Sequence, residues 1–187
     1  MAATRATLLE QRARPDAAET VRTPLMRRGD APRTIDVDVS GAAWLWLKVN
    51  PTEDGNSHDH GVWLDPTLTD AQDRVVPLAT LKPTLKYIGW NDIFVDADFR
   101  GKVLSVAGQE YKTGLFTHAP SEMVYDLGGR FTRFQVKVGV NDSAADVASV
   151  TFEVGVRGDP VRWLWNLIAK DYPEESAAWQ ADLPGDK

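Results

Sequence analysis

The stretch DGNSHDHGVW, residues 54–63, gathers His58, His60, two aspartates, an asparagine and Trp63 between glycines. Such side chains can serve a catalytic metal, a calcium ion, a sugar, or only a well-hydrated loop. In an extended backbone His58 and His60 project to one side of a strand, and His118 completes the chain's three histidines. Three imidazoles are the ligand count of a hydrolytic zinc site, yet no general base of convincing placement accompanies them. A His-ligated metal hydrolase is therefore the least favoured reading. Asp54, Asn56 and Asp65 fit positions 1, 3 and 12 of an EF-hand, but position 6 is Asp59 instead of glycine and position 12 lacks the longer Glu. No EF-hand is expected. Asp54, Asn56 and Asp59 remain candidate ligands for a calcium ion that would order loops without doing chemistry.

The elements that must carry these residues read as strands. From Thr34 to about Val156 short β-branched and aromatic runs alternate with Gly, Pro, Asn and Asp: TIDVDV, AWLWLKV, KVLSVAG, MVYDLGG, RFTRFQVKVGV and VASVTFEVGV. Phe134, Val136 and Val138 alternate with Gln135 and Lys137, the period of a half-buried strand. This predicts an all-β antiparallel sandwich over 34–156. Residues 1–33 read as a helical lead, with Asp16 as N-cap and Gly29 as stop. Residues 157–187 read as a helical tail, with Asp159-Pro160 opening VRWLWNLIAKDY. On the strand at 44–49, Trp44 and Trp46 share one face and Leu45, Leu47 and Val49 the other. One face is expected in the core and the other under the terminal helices. Trp63 is expected to be a core residue rather than a ligand.

The middle of the chain resembles a known family. Residues 114–142, GLFTHAPSEMVYDLGGRFTRFQVKVGVND, are similar to the signature half of the NPCBM domain, also classed as carbohydrate-binding module family 51. VTFEV at 150–154 continues the resemblance, and LKYIGWNDIFVDADFRGKVLSVAGQEY, with Gly89-Trp90, resembles the family's opening. TIDVDVSGAAWLWLKVNPTEDGNSHDHGVW resembles the segment that closes such domains, yet here it comes first. Either the chain straddles two tandem copies or the domain is circularly permuted; one copy of each half is present and termini often lie close together, so a single permuted sandwich is the expectation. In an unpermuted member the strands at 148–156 and 35–39 would follow one another along the chain.

The resemblance implies a jelly-roll-like sandwich of the galactose-binding type and a non-catalytic module that recognises a glycan, of galactose type, through loops at one end. A pyranose offers an apolar face for stacking and a rim of hydroxyls needing directed donors and acceptors. Trp90, Asn91, His118, Glu122, Asp59 and His60 are of the right types, and the family's motifs would gather them. Gly61 and Val62 depart from the family's DHADW pattern, which puts ligand or ion binding there in doubt. Relatives are also implied to hold a structural calcium, to act beside linked domains of a larger polypeptide, and to be extracellular or periplasmic. A spacer sandwich that has lost the sugar is the competing reading.

Charge and composition close other routes. The net charge is -6 and the basic residues are scattered, which argues against nucleic acid or an anionic membrane as partner. The N-terminus is charged and lacks the apolar core of a secretory signal. There is no cysteine, so thiolate catalysis and disulfides are excluded. GLFTHAPSE, with Ser121 near His118, is no nucleophile elbow.

Overall fold

Alternation along the strands becomes two faces in the computed structural model, which describes residues 19–156. The strands are β1 (Glu19–Arg22), β2 (Met26–Arg27), β3 (Arg33–Asp38), β4 (Trp44–Pro51), β5 (His60–Asp70), β6 (Val75–Pro77) and β7 (Leu85–Ile88). They continue with β8 (Phe94–Val95), β9 (Leu104–Val106), β10 (Gln109–Tyr111), β11 (Gly114–His118), β12 (Ser121–Asp126), β13 (Phe131–Val140) and β14 (Ser149–Val156). One sheet runs β1-β14-β4-β12-β7, with β2 also on β14. The other runs β3-β13-β5-β11-β8, with β6 also on β5. The pairings are antiparallel, and β9-β10 forms a separate hairpin. The protein is an all-β antiparallel two-sheet sandwich.

Between the sheets lie Leu45, Leu47 and Val49 of β4, Phe152 and Val154 of β14, Phe134, Val136 and Val138 of β13, and Trp63 of β5. Trp63 is fully buried, edge-on to Phe152 at 5.2 Å between ring centroids. Trp44 and Trp46 lie on the opposite face of β4, against Val124, Leu85 and Tyr87. The turn at Gly128 and Gly129, both at positive φ, carries the chain from β12 in one sheet to β13 in the other.

One irregularity sets what β5 displays. Leu64 pairs with Lys137 and Thr67 with Gln135, so β5 has one more residue than β13 across this interval. Asp65, at φ 47, takes the extra place, with its N–H on the Thr113 carbonyl at 3.1 Å and its carboxylate accepting the Thr113 hydroxyl. Such a bulge reverses the alternation. Trp63 before it and Leu68 after it therefore both point into the core.

The expected helix at 16–28 is corrected. Glu19–Arg22 and Met26–Arg27 are strands on the edge of β14. Thr23 between them is buried, its N–H on the Phe152 carbonyl at 2.9 Å and its hydroxyl accepting the Phe152 N–H at 3.0 Å. Pairing with an open sheet edge outweighs a weak helical propensity, and Pro24 would break a helix there. The only helical turn among the described residues is the 3-10 turn Leu78–Thr80. The tail helix from Asp159 lies outside them. β3 and β14 fall in opposite sheets, so the strands at 35–39 and 148–156 are not side by side.

Candidate functional site

His60 opens β5 and His118 closes β11, and the antiparallel register sets them directly opposite each other. Gly61 faces inward, where a Cβ would meet Val49 at 2.8 Å, so its neighbours His60 and Val62 face outward. On β11, Thr117 faces inward and bonds Ser121, leaving Phe116 and His118 outward. The two imidazoles therefore stand on the outer face of the second sheet, at its end, with centroids 5.6 Å apart. Phe116 lies 5.3 Å and Phe99 5.2 Å from His60. Val62 and Leu64 continue this face, and Leu104, Val106 and Tyr111 of the β9-β10 hairpin pack with them as a second apolar cluster.

Trp90 closes the group from the turn after β7. Its ring lies 5.2 Å from His118, 5.3 Å from Phe99 and 6.4 Å from His60, nearly parallel to the last. It is 44% exposed, whereas His60 and His118 are buried. Gly89 makes this approach possible: its N–H donates to the Pro120 carbonyl at 2.8 Å, and a Cβ would sit 2.8 Å from the Pro120 ring. Glycine is required there by space, and Asn91, exposed and at φ 61, turns the chain away afterwards.

The imidazoles have defined roles. His118 Nδ1 donates to the Ala119 carbonyl at 2.6 Å, which leaves Nε2 as an acceptor in the neutral ring. His60 Nδ1 lies 3.1 Å from the Ser143 hydroxyl. Burial pushes the His60 pKa down to about 4, helped by the charges of His118, His58 and Arg100 and opposed by Asp98. Burial also lowers His118, against the pull of the Ala119 carbonyl. Both rings are neutral at pH 7. The surface they form with Trp90 is aromatic, little charged, and able to hydrogen-bond, the combination a sugar ring needs.

The acidic candidates lie just behind. Ser149 donates its N–H to Asp59 Oδ1 at 3.0 Å and its hydroxyl to Asp54 at 2.8 and 2.9 Å. Asp59 Oδ2 is buried with no partner. Burial, with repulsion from Asp54, raises the Asp59 pKa to about 6 against the Ser149 N–H, which lowers it. The Asp59 carbonyl accepts the Ala119 N–H at 2.9 Å, tying this loop to the His118 turn. Asn56 is exposed, and its carbonyl accepts the Asp59 N–H at 3.4 Å. Among the described residues no group of three or more His, Asp or Glu side chains is arranged to hold a metal. The three histidines therefore do not form a zinc-binding set, even though His58 lies 5.8 Å from His60.

Of the residues expected from sequence, the fold brings Trp90, His60 and His118 together, with Asn91 adjacent to Trp90 and Asp59 adjacent to His60. Glu122 is set apart: it lies opposite Lys48 on the outer face of the first sheet, 3.8 Å from its ammonium. Phe99, Arg100, Phe116 and Ser143 escaped the sequence reading. Only Phe116 left a signal there, two residues before His118 on the same strand face.

Comparison with protein families gives a match to the NPCBM/NEW2 domain over residues 9–69 and 74–184. No curated protein matches the chain, and neither does any solved structure. With most of its length matched and a two-sheet sandwich as its fold, the chain belongs to the NPCBM/NEW2 domain family, a family of non-catalytic carbohydrate-binding modules.

Proposed function

We propose that this protein binds a glycan on the surface formed by Trp90, His60 and His118, with a galactose-type residue stacked on Trp90. The observation that carries this reading is the half-exposed Trp90 ring, fixed by Gly89 and Pro120 above two neutral imidazoles. An indole held in place costs little ordering on binding, and each imidazole can engage a sugar hydroxyl. Asn91 and the Phe99 turn border the surface. A glycan array with Trp90→Ala as control tests the reading. Signals that vanish in the variant support it; an array silent for the wild type leaves a spacer sandwich.

We also propose a calcium ion at Asp54 and Asp59. The buried, unpartnered Asp59 Oδ2 beside a second carboxylate fits a cation, and the Ser149 and Thr52 hydroxyls add oxygen donors. Carbonyls, including that of Asn56, and water would complete the shell. Such an ion would hold the loop 52–59 against β14, behind His60. Finally, we propose that the chain order is permuted relative to its family. In support, β4 and β5 from the first half insert between β14 and β12 and between β13 and β11 from the second half. Action beside other domains, outside the cytoplasm, would follow from such a role.

A further inference from the structure

The turn that borders the sugar surface carries a cation that pairs with no carboxylate among the described residues. Phe99 and Arg100 sit on a turn closed by Asp98, which is buried and whose Oδ1 accepts the N–H groups of Arg100 at 2.8 Å and Lys102 at 2.9 Å. Two backbone bonds, Asp98 N–H to the Lys102 carbonyl at 2.8 Å and Gly101 N–H to the Asp98 carbonyl at 2.9 Å, complete it. The turn is therefore fixed before any ligand arrives. The Arg100 guanidinium lies over the Phe99 ring, 4.8 Å from its centroid, and Phe99 in turn contacts Trp90 and His60.

The neighbouring acids are otherwise engaged. Asp92 pairs with Lys86 at 2.6 Å, Asp96 accepts the Gly114 N–H at 3.0 Å, and Asp98 serves its own turn. Arg100 enters none of the ion pairs among the described residues. Its planar fork of donors is thus available beside an exposed indole and two neutral imidazoles.

Building on the proposed sugar surface, we infer that the glycan it takes bears a carboxylate, which pairs with the Arg100 guanidinium while the sugar ring stacks on Trp90. A guanidinium pairs with a carboxylate through two parallel hydrogen bonds, a geometry that a hydroxyl cannot reproduce. Hexuronates and sialic acids share this chemistry.

Calorimetric titration of the full chain with matched pairs tests the inference. The pairs are sialyllactose against lactose, and trigalacturonate against its methyl ester. The acidic member of at least one pair is expected to bind about tenfold tighter or more. Arg100→Gln should shrink that preference to less than about twofold. Raising salt from about 0.05 M to about 0.5 M should narrow it too. Which pair responds separates the two sources of carboxylate. Equal binding of both members, or a preference that survives Arg100→Gln, overturns the inference. If neutral sugars bind in a Trp90-dependent way without acidic preference, the sugar reading stands and the carboxylate falls. If no member of either pair binds the wild type, both fall.

Discussion

Gly89 and Pro120 meet with no room for a side chain between them: a bond of 2.8 Å joins the Gly89 N–H to the Pro120 carbonyl, and the proline ring stands 2.8 Å from where a Cβ would sit. This contact locks the Trp90 turn onto the His118 turn. In Gly89→Ala the added methyl would meet both ring and carbonyl, costing about 1–3 kcal/mol as overpacking does. Chemical denaturation should show that loss, and titration should show glycan affinity falling with it, because the indole is displaced.

Trp90 and Trp63 should respond in opposite ways to the same truncation. Trp90→Ala removes a half-exposed ring, so the melting temperature should move by only a few degrees while glycan binding drops by about tenfold or more. Trp63→Ala opens a cavity between the sheets and should cost about 3–5 kcal/mol. A melting scan and a titration on each variant check the contrast.

Acid titration should separate His60 from Asp59. His60 has a folded pKa near 4, below that of a free imidazole, so the unfolded chain binds the extra proton first. Its contribution to stability is present above pH 6.5 and is lost as pH falls toward 4. Asp59 has the reverse sign: with its folded pKa raised from 3.8 to about 6, its contribution is largest below pH 4 and is lost as pH rises through 6. In EDTA, His60→Gln should flatten the loss of stability on acidification and Asp59→Asn should steepen it. Denaturation midpoints measured between pH 4 and pH 7 decide.

Calcium should act through Asp59. Saturating calcium at about a hundred times its Kd stabilises by about 2.7 kcal/mol, enough to raise the melting temperature by several degrees. Asp59→Asn should abolish the shift and Trp90→Ala should retain it. Thermal scans in calcium and in EDTA read both variants.

The central strands were legible because their alternation is strict: Leu45, Leu47 and Val49 on β4 and Phe134, Val136 and Val138 on β13 face the core as their spacing requires. The edge was not, since Glu19–Arg22 and Met26–Arg27 owe their extended form to β14, which lies far along the chain. Within the site, His60 and His118 could be nominated by residue type and by family resemblance. That they would stand on the outer face of the second sheet depends on strand parity and pairing, which no single segment contains. Phe99 and Arg100 had no such handle. They come from an irregular turn without periodicity, and only the tertiary fold carries them to Trp90. Asp59 and Ser149 tell the same story, joined by a bond across ninety positions of sequence.

The supernumerary residue at Asp65 makes β5 a strand with two reading frames. Upstream of it, odd positions belong to the interior; downstream, even ones do. Losing that single codon would force a choice between Trp63 and Leu68 for the interior, and in one of the two outcomes His60 would be swung inside, away from His118. Length variation at this point therefore inverts which side of the sheet one half of the strand serves, whereas changes of residue type there need not.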